Sequence, residues 1–385
     1  MKDVYFIAMR KILDVNLQRR IRNRKLKEKY FKIFLLFLFF FAVMFIIWKL
    51  SLERIVIGDK SDNFPILFSG DTVLDFEKTD SGFCVLTNCQ LNFYSRVGDK
   101  FKDTDSFAVK TQISSCGDRV LWYEKDSKKF SIHNKKGSLF TGVLKKNILF
   151  GKINKRGSFA FVTESENGYC EFLAFNKKRE QIFRWSCPDS LIVDFDFNEN
   201  CNGCVLTTAS VECGRITTSL HELNFYSDDE LIKKDILNCM PLSVKRVGGV
   251  TVLVCDVKVL FLDVNGSILN EVEYSRNLEN YVVTDNGYFL AFFSSKSNNS
   301  DGLLVSYDKF GNKINEKCDF GEKIRKIKCY GRDVIALTDS FVFHMGLNLK
   351  VFGNIYNRCV VDEFIYIKPY LYYVSMNKIN RCLLF

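Results

Sequence analysis

From residue 64 to the C-terminus, short apolar runs, many of them alternating with polar residues, are broken by Gly, Asn, Asp and Ser; long stretches at helical spacing are missing. That is the pattern of β-strands joined by tight turns. One arrangement keeps returning: an apolar run, a short polar turn and a second apolar run. It reads LNFYSRVGDKF at 91–101, FSIHNKKGSLF at 130–140, FLDVNGSIL at 261–269 and LVSYDKFGNKI at 304–314. The first strand of each pair ends near Tyr94, His133, Phe175, Tyr226, Asp263, Tyr307, His344 and, more loosely, Ser375. The turn that follows is centred on Gly98, Gly137, Arg179, Glu230, Gly266, Gly311, Asn348 and Lys378.

These anchors recur about every 40 residues, and each interval has room for two further strands, such as GFCVLTN (82–88) or TVLVCDV (251–257). Four strands per roughly 40–45 residues is the period of a β-propeller blade. One blade cannot bury both of its faces, so the repeats must stack in a ring. The predicted fold is all-β, a propeller of eight four-stranded blades; the short last unit leaves a count of seven open. A twin-sheet sandwich or two β domains is the alternative. The longest interval contains CVLTTASVECGRITTSLHELNFYS (204–227), read as a lengthened central hairpin rather than an extra blade. The two ends of this region, FPILFSG (64–70) and INRCLLF (379–385), are both strand-like. They are expected to lie in the same or adjacent blades, with Phe385 at least partly buried, because pairing the ends closes the ring.

Charge adds a second feature. The net charge is +10, but residues 1–32 hold eleven Lys and Arg against three acids, leaving the rest nearly neutral. Directly after comes IFLLFLFFFAVMFIIW (33–48), without a charge and flanked by Lys32 and Lys49. About 20 residues at 1.5 Å each span the roughly 30 Å of a bilayer core. Its Ile, Leu, Phe and Val favour insertion by about 4–8 kcal/mol in total. The domain reading is therefore a basic arm (1–32), a transmembrane helix (33–50), a linker (51–63) and a propeller (64–385). Arg19, Arg20, Arg22, Arg24, Lys25, Lys27 and Lys29 set the topology: the positive-inside rule leaves the arm cytoplasmic and the propeller outside. WKLSLERIVIG offers no small-x-small cleavage site, so the segment reads as a signal anchor. The arm is expected to meet anionic lipid; nucleic acid is not an expected partner.

Candidate chemistry is sparse. The fourteen cysteines all lie between Cys84 and Cys382, mostly inside apolar strands, where Cys behaves as a small hydrophobe. Cys201 and Cys204 form the one C-x-x-C and are the candidate dithiol or disulfide. A zinc site would want a second such pair. His133 and His344 occupy the repeat position of Tyr94, Tyr226 and Tyr307, which points to cross-strand packing. There is no H-E-x-x-H, G-x-S-x-G, Walker loop or G-x-G-x-x-G before a helix. No catalytic residue, metal ligand or cofactor is expected.

The turns in FLDVNGSIL, SYDKFGNKI and IHNKKGSLF resemble the outer hairpins of quinoprotein-like and WD-like propellers, although the per-blade tryptophan is missing. With the basic arm and single anchor, the chain resembles the bacterial family of membrane-anchored propellers of unknown function. The resemblance implies a cell-envelope domain and carries over no catalytic residue. The expected function is a binding or scaffolding module for a protein, peptide or glycan. Two alternatives remain: a hydrolase or lyase with carboxylates in the central funnel, and a transmembrane sensor. Clustered, pKa-perturbed groups in the funnel would favour the enzyme; an apolar patch on the loop face would favour a protein partner.

Overall fold

The computed structural model of the chain describes residues 32–41, 43–45, 63–101, 110–166, 168–212, 214–227, 230–294, 302–318, 320–356 and 360–384. The chain divides into two units, residues 1–62 and 63–385. In the first, residues 32–41 and 43–45 are helical, and Phe34, Leu36, Phe39 and Phe41 are exposed. Among the described residues no helix is long and apolar enough to cross a membrane. Lys32 is exposed on this helix; Lys49 and the basic residues from Arg19 to Lys29 lie outside the described residues.

The second unit is built of antiparallel sheets whose first strands sit innermost. Strand β1 (Ile66–Leu67) belongs to the last of them. Blade 1 is β2 (Val73–Thr79), β3 (Gly82–Thr87) and β4 (Leu91–Ser95). Blade 2 is β5 (Thr111–Cys116), β6 (Arg119–Glu124), β7 (Lys129–Asn134) and β8 (Gly137–Val143). Blade 3 is β9 (Ile148–Ile153), β10 (Phe159–Glu164), β11 (Cys170–Phe175) and β12 (Gln181–Cys187). Blade 4 is β13 (Leu191–Phe197), β14 (Gly203–Glu212), β15 (Arg215–Asn224) and β16 (Glu230–Leu237). Blade 5 is β17 (Pro241–Val247), β18 (Val250–Cys255), β19 (Lys258–Leu262) and β20 (Ile268–Glu273). Blade 6 is β21 (Leu278–Val283), β22 (Phe289–Phe293), β23 (Leu303–Tyr307) and β24 (Lys313–Lys317). Blade 7 is β25 (Lys326–Tyr330), β26 (Asp333–Leu337), β27 (Phe341–Gly346) and β28 (Val351–Tyr356). Blade 8 is β29 (Glu363–Ile367), β30 (Tyr370–Ser375) and β31 (Lys378–Leu383), with β1 as its outer strand. The eight-blade propeller is what the 40-residue period predicts.

Closure follows the two chain ends. Ile66 pairs with Ile379 and Leu67 with Lys378, so β1 from the start of the unit completes the blade formed by its end. Ile379 and Leu384 are buried there; Phe385 lies outside the described residues. The long interval also resolves as expected. β14 and β15 are ten residues each and pair throughout, from Gly203 with Asn224 to Glu212 with Arg215.

The repeat position itself needs correction. In blades 2–7 the outer strand pair carries a β-bulge at one repeating point, reached at His133, Phe175, Leu223, Leu262, Tyr307 and Met345. Asp263 is therefore one residue late, His344 one early, and Tyr226 is in the turn beyond, exposed. A bulge adds a residue to one strand, and a slip of one residue turns a side chain to the other face of the sheet. Ser375 is different again: it ends the second strand of blade 8, so its hairpin is the central one, and β1 supplies the outer strand. The left-handed turn residues are Gly98, Gly137, Arg179, Gly266 and Gly311, as expected, but Leu349 replaces Asn348 and Met376 with Asn377 replaces Lys378. Glu230 opens β16. At Gly266 (φ 75°) a Cβ would sit 2.8 Å from Ile232 Cγ2, so both backbone and space select glycine.

The two histidines consequently differ. His133 is buried at the true repeat position. His344 Nε2 meets Asp333 Oδ1 of its own blade at 2.8 Å, and the ring packs on Phe352 of that blade and on Tyr366 of the next. We expect His133→Tyr to change stability by about 1 kcal/mol or less. His344→Tyr should cost about 1–2 kcal/mol, because it removes the short His344–Asp333 contact, leaving Asp333 only the longer one to Lys368, and overpacks the site. Urea midpoints of the two variants check this; equal losses would refute the distinction.

The core is the set of interfaces between neighbouring blades. Phe83, Tyr94, Tyr372, Val374 and Ile379 join blade 1 to blade 8. Phe172, Phe195, Phe197 and Phe225 join blades 3 and 4, with Phe172 and Phe195 edge to face at 5.0 Å. Each such buried ring contributes about 1.5–3 kcal/mol, which is how an aromatic-rich chain with three tryptophans builds a propeller.

Candidate functional site

The inner strands of neighbouring blades pack side by side, as in β2 with β5 and β29, β13 with β17, and β25 with β21 and β29. Successive residues of a strand point to opposite faces, so i, i+2 pairs share one face. Three inner strands carry charged residues at that spacing: Asp75 and Glu77, Asp194 and Asp196, Lys326 and Lys328. These meet in two groups.

In the first, Asp194 accepts the Val244 N–H through Oδ2 (3.0 Å) and meets Lys152 Nζ through Oδ1 (2.6 Å). Asp196 accepts the Arg246 N–H at 2.9 Å, and Glu199 accepts the Gly248 N–H at 2.9 Å. Blade 4 thus holds the inner strand of blade 5 by three carboxylate-to-backbone bonds at alternate residues. Burial raises the Asp196 pKa against the pull of Lys245. Burial would lower Lys245 in turn, but Asp196 and Asp285 outweigh it and raise its pKa. Charges satisfied this thoroughly bind the ring together.

In the second group, Glu363 is gripped by Lys326 and by Lys328 (2.6 Å), and Lys328 also donates to the Phe364 carbonyl at 3.1 Å. Burial pushes Glu363 up, but the two lysines hold it below the usual carboxylate range. Beside it, Glu77 accepts one hydrogen bond from Ser115 Oγ at 3.0 Å. Burial and the neighbouring Asp75 carboxylate push Glu77 up to about 7. Asp75 is raised too, by burial. The Asp75–Glu77 pair is the place in the inner ring where a proton could be exchanged near neutral pH.

A different feature lies at one end of the ring, where second strands turn into third strands and one blade passes to the next. On blades 4 and 5 this face exposes Leu191, Val211, Ile216, Leu237, Leu242 and Val257, with Val211 at 72% and Leu237 at 58%. Register places Leu191 opposite Ala209 and Val211 opposite Ile216, so these line one side of the long hairpin. The hairpin carries apolar side chains beyond its blade.

The sequence-named dithiol separates. Cys201 sits in a turn with φ 58° and its Sγ contacts the Glu199 carbonyl at 4.0 Å, whereas Cys204 is buried against Phe172 and Phe225 in the core. Among the described residues, the thiols that meet are Cys170 with Cys187 and Cys239 with Cys255. Among the described residues, no group of three or more His, Cys, Asp and Glu is placed to hold a metal ion.

Residues 69–350 match a family of unknown function (DUF5711), well over half of the chain. The chain belongs to that family. No curated protein matches its sequence. In fold, this DUF5711 protein is similar to the computationally designed Ika8 protein (TM-score 0.62, 9% identity, 82% of this chain and 96% of that one). It is also similar to BamB from Moraxella catarrhalis (TM-score 0.53, 12% identity, 83% and 100%). A third similar structure is Chaetomium thermophilum Sqt1 bound to the N-terminus of ribosomal protein L10 (TM-score 0.54, 10% identity, 82% and 98%). At these identities the likeness is one of fold.

Proposed function

We propose that this chain is a membrane-tethered propeller of the cell envelope that binds a protein or peptide partner on the apolar edge of blades 4 and 5. The observation that carries the binding reading is the long hairpin with Leu191, Val211 and Ile216 exposed on one side. Isolated apolar residues on a surface are ordinary, but a contiguous set raised on a projecting hairpin favours a protein contact. Sqt1 offers a precedent in kind, a propeller structure holding the N-terminus of another protein.

The tether reading is supported by the basic arm and the charge-free run from Ile33 to Trp48, whose described side chains are largely exposed. The propeller chain starts at Asn63, whose N–H bonds the Val97 carbonyl in the turn after β4. That turn lies at the end of the blades opposite the apolar edge. The arm then stays cytoplasmic beside anionic lipid and the propeller lies outside. In intact cells, added protease should remove a tag placed after residue 385 and spare one placed before residue 1; the reverse pattern would refute the orientation.

Binding is tested by crosslinked capture from the native membrane with the unaltered chain and with a Val211→Asp, Ile216→Asp double variant. A partner captured by the first and lost from the second, at equal melting temperature, is the expected result. Equal capture by both would remove this edge from the reading. A second reading, hydrolysis or elimination in the funnel, rests on Glu77 titrating near 7 beside Asp75. Any turnover of that kind should vanish in Glu77→Gln.

A further inference from the structure

The two cysteine pairs lie on either side of blade 4, each at a blade-to-blade crossing. Cys170 and Cys187 are directly opposite in the β11–β12 register, and their thiols hydrogen-bond. The same Cys170 Sγ accepts the Ile192 N–H at 3.2 Å and donates to the Ser190 carbonyl at 3.6 Å. Cys187 Sγ lies 2.9 Å from Ser190 Oγ. This pair therefore holds the crossing from blade 3 into Leu191. On the far side, Cys239 precedes Pro241, the residue paired with Cys255, and the Cys239 and Cys255 thiols hydrogen-bond. Around them, Asp256 N–H donates to the Met240 carbonyl (3.0 Å) and Thr218 Oγ1 to the Cys239 carbonyl (2.7 Å). This pair holds the crossing from blade 4 into Leu242.

We propose that Cys170–Cys187 and Cys239–Cys255 are disulfide sites, two bridges that fix the crossings framing the apolar edge of blades 4 and 5. The role of fixing the edge rests on the binding reading above; formation of the bridges does not. Two cysteine sulfurs already in contact need little backbone movement to bond, whereas Cys201 and Cys204 are placed apart.

The chemistry is thiol–disulfide exchange with an organic disulfide, small-molecule or protein. The Cys187 thiolate attacks one sulfur of that disulfide and expels the other as a thiolate, leaving a mixed disulfide. Cys170, deprotonated, then attacks the Cys187 sulfur and expels the second thiolate. One S–S bond breaks and one forms, two electrons pass to the external disulfide, and both protons go to its thiols. Cys239 and Cys255 react in the same way. All four sulfurs are buried in the folded blades, so exchange takes place as the chain folds.

The test is to refold the reduced full-length chain in a buffer of reduced and oxidised glutathione, alkylate the remaining thiols under denaturing conditions, and map peptides without reduction. The expected result is two linked peptides, 170 to 187 and 239 to 255, with Cys84 and Cys204 alkylated. Cys187→Ser and Cys239→Ser should each abolish only their own bridge. Recovery of these four cysteines as alkylated thiols, or joined to other partners, in protein with the near-ultraviolet circular dichroism of the folded chain would overturn the proposal. Loss of partner capture leaves this readout unmoved, so the two readings fail separately.

Discussion

Removing residues 379–385 should abolish the cooperative melting of the propeller or lower its Tm by about 10 °C or more. β31 pairs with β30 across six residues, from Tyr370 with Leu383 to Ser375 with Lys378. On its other side it holds β1 through Ile66 and Leu67. Without most of β31, β30 becomes an edge and β1 loses the strand it joins, so both expose backbone groups that the closed blade satisfies. Buried Ile379 and Leu384 alone contribute about 1.5–3 kcal/mol each. Together with the lost pairing this exceeds about 5 kcal/mol, and in a large domain each kcal/mol is worth about 2–4 °C. Ile379→Asp separates closure from mere shortening, because it keeps the strand and buries a charge in the blade 8–blade 1 interface. Calorimetry of both variants decides the matter: a truncated chain that melts like the intact one would mean that the ring does not depend on this joint.

The joint was legible because both partners announce themselves. FPILFSG and INRCLLF are apolar segments at the ends of a repeating region, and a ring has to join its ends. The lengthened hairpin was legible for a similar reason, since an interval of 51 residues can absorb its surplus only in longer strands. Register inside the blades was not. Leu223, Leu262 and Met345 are ordinary apolar residues, and the bulge that aligns them with Tyr307 leaves no mark in composition. His344 stands one residue before the bulge for that reason, and nothing in the spacing marks its contact with Asp333. The thiol pairs were hidden in the same way: Cys170 meets Cys187 through strand register, and Cys239 meets Cys255 across a crossing loop, so neither follows a spacing rule. The inner charges had a usable signal. Asp75–Glu77, Asp194–Asp196 and Lys326–Lys328 all stand at i, i+2 in the first strand of a unit, which puts both members of each pair on one face.

That second carboxylate of β2 gives the other large effect, a stability that falls as the pH rises. Glu77 has its ordinary value near 4.5 in the unfolded chain and about 7 in the folded one, where burial and then Asp75 disfavour its charge. Between about 4.5 and 7 the folded state therefore binds more protons than the unfolded state. Its contribution is fully present below 4.5 and is lost as the pH climbs through 7. At 1.36 kcal/mol per pKa unit, and with the pair partly open to water, the loss is about 2–3 kcal/mol. Asp75 and Asp196 are raised by burial and act with the same sign. Glu363 is lowered by its lysines and acts oppositely, losing stability only on the acid side of 4.5. The chain should thus be most stable in mildly acidic solution. Glu77→Gln isolates the single group, because an amide keeps the Ser115 contact and carries no charge at any pH. Urea denaturation at about pH 5 should find the variant close to the unaltered chain, and at about pH 8 should find it more stable by about 2–3 kcal/mol. If the gap between the two proteins stays constant from pH 5 to pH 8, Glu77 ionises normally in the folded ring, and the proton-exchanging pair with Asp75 has to be given up with it.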